Sequence, residues 1–472
     1  MKPLVFLYRT AFGFYFYETS RNEIVKVSQA LYEYIQAILA GQGEEEIDAS
    51  ENVKAEYREL RECGYLSPPH VQMVHHPLTE GLDIMLKRKV DKITLQVTQD
   101  CNLRCSYCIY SEGSNFGQRT HTHKSMSLST AKNALDFYRK NSSDTELISI
   151  GFYGGEPLLK FDLIKDVVAY AEDIFSGKEI TYSITTNATL LNDEVIDFLL
   201  EHKFKVLISI DGPEKVQNKN RRFRDGTGSY RKVMQNVSKM YNKDPDRLGK
   251  VTLSMVIDPA QDYKEITTLF DESVMKNVGL TYSFVEEDAQ TLFPSQEYVA
   301  EYNYAMFLAF VSHFRDTDKT FPSKLVEHDI TMYKEGIKRF KTSILPLASA
   351  PSGPCVPGKT KLFVSCTGDL YPCERVNENN CMKIGSLDDG YDFDNIRTIL
   401  NVGKINGDRC KTCWAFSLCT VCVKRADDNG KLSEKKMAYA CGEARRIAID
   451  KIANKVLAFE NECHERKMTK MC

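Results

Sequence analysis

The stretch that decides the reading runs from Thr98 to Ser111, "TQDCNLRCSYCIYS", and sets Cys101, Cys105 and Cys108 in the spacing C-x3-C-x2-C. Three thiols this close read as metal ligands, yet tetrahedral zinc and a cubane iron–sulfur cluster each take four. For zinc, the nearest further donors are His121 and His123 in "QRTHTHKS", which also fit a surface loop. The alternative is a fourth position left open, as catalytic metal sites leave one for substrate.

Outward from this motif the chain alternates. "KITLQVT" precedes it, and "LISIGFY", "ITYSITT", "KVLISID", "VTLSMVID" and "LTYSFV" follow. The segments between, such as "SLSTAKNALDFYRK" and "FDLIKDVVAYAEDIF", carry apolar residues at helical spacing. Strands alternating with helices of this length predict an α/β fold with a parallel sheet and right-handed crossovers. Six units suit a partial (β/α)6 barrel, which puts the cysteine loop at the C-terminal rim where such folds build active sites.

Composition narrows the function classes. The chain has 472 residues and a net charge of -3, so no global basic field exists for nucleic acid. No apolar run reaches the roughly 18 residues of a membrane span, and the N-terminus lacks a signal-peptide cleavage site. A cytoplasmic protein is expected. Of its fifteen cysteines, nine lie between Cys355 and Cys441, and without a secretion signal this density points to metal or redox chemistry. Cys63, Cys463 and Cys472 read as ordinary thiols.

The C-x3-C-x2-C motif, with the aromatic Tyr107 before its last cysteine, resembles the signature of the radical SAM superfamily. The resemblance implies a [4Fe–4S] cluster on Cys101, Cys105 and Cys108. Its open iron would bind S-adenosylmethionine (SAM), whose reductive cleavage yields a 5′-deoxyadenosyl radical. "YGGEP" (Gly154, Gly155, Glu156, Pro157) resembles the segment that binds the methionine amino group. Paired glycines also let backbone approach closely. Thr186 and Asn187 in "TTNATLL", and Ser209 and Asp211 in "SIDGP", are placed for ribose or carboxylate contacts. In "NKNRRF", Arg221 matches an arginine that binds the SAM carboxylate.

The second cysteine set resembles the SPASM extension of radical SAM enzymes, which holds two auxiliary [4Fe–4S] clusters, three in all with the first. Carried over, one auxiliary cluster takes Cys410, Cys413, Cys419 and Cys441. The other takes Cys355, Cys373 and Cys422, with Cys366 or Cys381 as a possible fourth ligand or an open iron. Paired C-x2-C steps also occur in zinc ribbons.

The expected domains are residues 1–80, a winged-helix-like module; 90–315, the barrel; 316–350, a helical linker; 351–445, the SPASM domain; and 446–472, a C-terminal helix. The first resembles a RiPP recognition element, which binds the leader of a ribosomal precursor peptide on a sheet edge. That edge would come from "GFYFYETS" or "EIVKVS", beside the helix "NVKAEYRELREC". "LFV…GDLYPCERV", "IGSL" and "CWAFSLC" resemble thioether-forming maturases of the sactipeptide and ranthipeptide type, including those acting on six-cysteine precursors. The resemblance implies that a peptide cysteine sulfur is joined to carbon after hydrogen abstraction, with electrons from a donor such as flavodoxin or ferredoxin. An anaerobic sulfatase-maturase-like oxidation of Cys or Ser to formylglycine, another peptide modification, and a pure electron carrier are the alternatives.

Overall fold

A computed structural model describes residues 2–469 apart from 111–120, 245–250, 277, 288–289, 292–293, 316–320 and 352–354. The chain divides into two compact units: residues 1–80, 331–355 and 397–472 form one, and residues 81–330 and 356–396 the other. The segment 351–445 is therefore shared between units, with boundaries at 355/356 and 396/397.

In the first unit, β1 (Val5–Arg9), β2 (Phe14–Glu18) and β3 (Glu23–Val27) make an antiparallel meander with β2 in the centre. This corrects one expectation. "GFYFYETS" is the middle strand, because its aromatics are needed on both faces, and among the described residues only β1 and β3 are edges of this sheet. Phe16 points into a core with Leu31, Ile35, Val53 and Tyr57. Tyr15 and Tyr17 point the opposite way, onto Ala448, Ile452 and Val456 of the long C-terminal helix Glu434–Thr469. Alternation along a strand dictates this split. Burial of each large side chain contributes roughly 1.5–3 kcal/mol.

Two helices follow, α1 (Gln29–Ala40) and α2 (Glu51–Glu62). Ser28 and Ser50 accept from the Leu31 and Val53 amides as N-caps, and Gly41 ends α1 in the left-handed conformation. β4 (Met73–Val74) then pairs with Ala348–Ser349. The C-terminal helix begins at Glu434, ahead of 446, so it includes Cys441.

The second unit opens with α3 (Leu82–Arg88) and then β5 (Ile93–Thr98). All six expected strands are present. β6 (Leu147–Gly154), β7 (Glu179–Thr186), β8 (Lys205–Ser209), β9 (Val251–Ile257) and β10 (Gly279–Phe284) follow β5 in sequential parallel order. Helices α4 (Leu128–Asn141), α5 (Phe161–Ile174) and α6 (Asp193–Glu201) each separate successive strands, and α7 (Glu214–Asn220) and α8 (Tyr230–Lys243) both lie between β8 and β9. The sheet is mixed rather than purely parallel. Leu362–Val364 adds to β5 in parallel, and Asp369–Tyr371, Gly385–Ser386 and Gly390–Tyr391 continue it antiparallel.

Candidate functional site

The three-cysteine loop leaves the C-terminal end of β5. Cys101 and Cys105 are buried and Cys108 half-buried, packed with Leu103, Tyr107 and Phe223. Backbone amides of Leu103 and Tyr110 donate to the sulfurs of Cys101 (3.4 Å) and Cys108 (3.5 Å). The loop is gripped along its length by residues 220–224. Arg104 N donates to Arg222 O (2.7 Å), Ser106 N to Asn220 O (3.0 Å), and Arg224 Nε to Cys101 O (3.0 Å). Arg224 also pairs with Asp100, whose carboxylate accepts from the Cys101 amide at 2.8 Å.

Gly154 and Gly155 face this loop. A Cβ at Gly154 would stand 2.1 Å from the Thr98 carbonyl oxygen, and one at Gly155 2.1 Å from that of Asp100. Gly154 also sits at φ +145°, where glycine is favoured. The close approach that requires these glycines is thus to the cysteine loop itself, sealed by Gly155 N→Thr98 O and Glu156 N→Asp100 O.

Glu156 is fully buried and already occupied. It accepts from the Thr186 hydroxyl (2.7 Å), the Asn187 amide (2.7 Å) and the Leu158 amide (3.1 Å). Burial pushes its carboxyl up, and these donors oppose the shift. Pro157 begins the short 3-10 turn Pro157–Lys160 that Glu156 caps. Asn187 in turn reaches Asn102 Oδ1 (2.9 Å) and the Cys101 sulfur (3.8 Å). Glu156, Thr186, Asn187 and Cys101 therefore form one connected network.

A second network lies on the Cys105 side. Tyr107 donates to Asp211, which also accepts from the Val256 amide at 3.1 Å, and Arg221 Nη1 donates to Tyr107 at 2.9 Å. Burial works against the Arg221 charge, but Cys105, Tyr107 and Asp211 around it hold the guanidinium protonated. Among the described residues, Arg221 Nε is buried without a hydrogen-bond partner. Ser209 ends β8, half-buried, paired in register with Ser254.

Burial and the neighbouring Glu156 push the Cys101 thiol up to about 12, and burial pushes Cys105 up to about 11. Thiols this reluctant to ionise need a cationic body to become ligands. Three clustered sulfurs, amides aimed at two of them and a buried guanidinium with a free N–H beside Cys105 suit a cluster carrying an anionic ligand. The residues present fit such a group. His123 is exposed and pairs with Asp100 at 3.4 Å. Burial and two nearby arginines push His121 down to about 4. Among the described residues no three His, Cys, Asp or Glu side chains close on one point as ligands of a single ion do.

The second cysteine set divides. Cys410, Cys413, Cys419 and Cys441 line one cavity of about 220 Å³, with Asn406, Arg409, Phe416 and Arg445 also in its wall. Burial, then Cys441, Cys419 and Cys413, push the Cys410 thiol up to about 12. Asn406 Nδ2 donates to the Cys441 sulfur at 3.6 Å, and its Oδ1 is buried with no partner among the described residues. Four thiols lining one cavity, with two arginines and an amide oxygen that has no partner among the described residues, fit a thiolate-held cluster. Cys355 and Cys422 are exposed in the same unit, and Cys373 lies in the other, with the Arg375 amide donating to its sulfur at 3.4 Å. Cys366 is buried and its thiol donates to Gln96 O at 3.2 Å, while Cys381 donates to Asn379 Oδ1 at 3.2 Å.

Asn102, Arg224 and Asn406 join these sites without having been singled out from the sequence. So does Gln96, which donates to Tyr110 (2.9 Å) and Glu378 (2.6 Å). Only the position of Asn102 and Arg224 beside recognised motifs could have flagged them.

Residues 95–272 match the model of the Radical SAM superfamily, so this stretch is a radical SAM domain. Over 122 residues the chain is 43% identical to an uncharacterized protein of Methanocaldococcus jannaschii, covering 26% of this chain and 39% of the relative. It is 33% identical over 139 residues to a serine-type anaerobic sulfatase-maturating enzyme of Bacteroides thetaiotaomicron, covering 29% of this chain and 33% of the relative. The chain thus spans well under half the length of both. A cysteine-type anaerobic sulfatase-maturating enzyme of Clostridium perfringens is 25% identical over 362 residues, 72% of this chain and 90% of the relative. A solved structure of native anSMEcpe with bound AdoMet superposes with a TM-score of 0.57 at 19% identity, covering 77% of this chain and 98% of that one.

Proposed function

We propose that this chain is a radical SAM enzyme that modifies a ribosomally made, cysteine-rich precursor peptide by joining cysteine sulfur to carbon. The observation that carries the radical SAM part is the buried C-x3-C-x2-C loop, braced by Gly154–Glu156 on one side and residues 220–224 on the other. When bound, the cluster and SAM supply hydrogen-atom abstraction.

The chain's own residues do the remaining work. Cys101 and Cys105, both buried, and the half-buried Cys108 would hold the cluster. Arg221, held charged by its neighbours and with a buried N–H to offer, would receive the carboxylate of SAM. Asn187 and Asn102 orient the loop at Cys101. Tyr107 and Asp211 hold Arg221 in place instead of meeting solvent. In the first unit, Cys410, Cys413, Cys419 and Cys441 would hold an auxiliary cluster that carries electrons. A second auxiliary cluster would draw on Cys355, Cys373 and Cys422, with Cys366 or Cys381 as a further donor in place of its hydrogen bond to Gln96 or Asn379.

The peptide part is supported by the outer edge of β3, which pairs with no further strand among the described residues and next to which a leader would add as a fourth strand. An external donor such as flavodoxin or ferredoxin would supply the electrons. A second reading has a specific observation behind it: the similarity to the Clostridium perfringens enzyme extends over 90% of that relative. On that reading the product is formylglycine, made from a cysteine of a target protein.

Anaerobic incubation of a cysteine-rich precursor peptide with reconstituted enzyme, SAM and reductant separates the two. Thioether formation removes two hydrogens per crosslink and makes the same number of thiols resistant to alkylation. Formylglycine formation removes sulfur and leaves an aldehyde that reacts with a hydrazide. Release of 5′-deoxyadenosine no higher than without SAM-cluster cysteines would overturn both.

A further inference from the structure

We propose that Trp414 is a positioning residue for the four-cysteine site, and that the N-terminal sheet is the wall that holds it in position. Trp414 directly follows Cys413. Its ring stacks on Phe6 of β1, with centroids 4.1 Å apart and planes 22° from parallel. Its carbonyl accepts from the Thr19 hydroxyl at 2.9 Å, and the Ser417 hydroxyl donates back to Thr19 O at 3.3 Å.

The neighbours of Trp414 continue the attachment. Ala415 and Leu418 share one apolar layer with Tyr15 and Tyr17 of the sheet and with Ala448, Ile452 and Val456 of the C-terminal helix. Phe416, which lines the cavity, packs with Val71 and Val74, and Cys410 belongs to that same cluster. Both aromatic side chains of the cysteine loop are therefore seated on residues from the first eighty.

The loop has little regular structure to shape it. It consists of a single helical turn, Gly407–Lys411, and a 3-10 turn, Phe416–Leu418. Segments this short have no stable conformation of their own, so their geometry follows what they pack against. Cys441 enters separately, on the long helix, whose apolar residues rest on the same face of the sheet. The sheet therefore fixes the distance between the Cys410–Cys419 loop and Cys441. The proposal rests on the reading of these four cysteines as cluster ligands.

The chain contains one tryptophan, so its intrinsic emission reports this site alone. The test uses the full chain reconstituted anaerobically with iron and sulfide, as wild type and as Phe6→Ala, Thr19→Val, Trp414→Ala, Trp414→Phe and Cys410→Ala. Cys410→Ala defines the loss of this cluster, about four irons per chain. Expected are strong quenching of Trp414 emission on loading the wild type, a comparable iron loss with recovered emission in Phe6→Ala, and restored loading in Trp414→Phe relative to Trp414→Ala. Thr19→Val removes one hydrogen bond without opening the core, and should weaken loading by about fivefold. It serves if Phe6→Ala fails to fold by circular dichroism. Full iron and unchanged emission in a folded Phe6→Ala or Thr19→Val, with iron lost in Cys410→Ala, would overturn the proposal alone. No iron lost in Cys410→Ala would overturn the cluster reading and the proposal with it.

Discussion

Cys101, Cys105 and Cys108 lie within eight consecutive residues on one loop, and backbone hydrogen bonds from two neighbouring segments hold that loop. Cys410, Cys413, Cys419 and Cys441 come from a short irregular loop and a separate long helix, and packing brings them together. Cys101 and Cys105 in the first set and Cys410 in the second are thiols that burial pushes well above their ordinary range, so the chemical demand is similar. The means differ. Backbone bonds at the first site leave no slack for a single added atom, whereas side-chain packing at the second tolerates local change and depends on distant support.

The harshest way to break this comparison is Gly155→Ala. Its Cβ would meet the Asp100 carbonyl at 2.1 Å, and a backbone atom cannot step aside as a side chain can. A loss of about 3 kcal/mol in denaturant unfolding is expected. Release of 5′-deoxyadenosine should fall to background. Glu156→Gln comes next: an amide nitrogen would face either the Asn187 amide or the Thr186 and Leu158 donors, leaving a buried donor unpaired. That costs about 2 kcal/mol, read as a lowered unfolding midpoint. Wild-type stability in this variant would show that Glu156 is not the hub of the network.

Arg221→Lys keeps the charge and loses the planar fork. SAM affinity, measured by equilibrium dialysis on the reconstituted enzyme, should fall about tenfold while the fold is retained. In the other region, Glu18 sharpens the contrast through pH. It is buried in β2, accepts from the Leu66 amide (2.7 Å) and the Ser20 hydroxyl (2.7 Å), and burial raises its pKa. A raised carboxyl pKa means the folded state favours the protonated form. Stability therefore falls as pH rises from the ordinary carboxylate value to the raised one, then levels off. Glu18→Gln should flatten thermal melts across that window, and an unchanged slope would assign it elsewhere. The smallest effect is expected at Gly442, next to Cys441 on the long helix. A Cβ there meets nothing within 4 Å, so Gly442→Ala should stabilise by about 1 kcal/mol without loss of iron. Destabilisation instead would show that the helix is as tightly bounded as the first loop.

The six parallel strands and the strand–helix alternation were legible because period and length alone distinguish them. So were the cysteine loop and "GGEP", where spacing carries the chemistry. Cys410, Cys413, Cys419 and Cys441, expected from the family resemblance to act as one set, do line one cavity. Less was legible about what each residue does. Glu156 reads from its position as an acceptor for an ammonium group, and the sequence did not show that it also holds Thr186 and Asn187. "GFYFYETS" reads as an edge strand until one sees that both its faces are buried. The three short antiparallel strands after Val364 were missed, being two or three residues long and below any periodicity.

By itself the sequence determined the local features: where strands and helices form, which loop carries three thiols at ligand spacing, and which glycines allow close approach. These depend on neighbours within a few residues, and pattern is enough to expose them. Only the tertiary structure decided that the first eighty residues share a unit with the Cys410–Cys441 cavity. It also decided that Trp414 rests on Phe6 and that Arg221 keeps a free buried N–H beside Cys105. Those facts join residues hundreds of positions apart, and packing between distant segments leaves no period in the chain from which to read it.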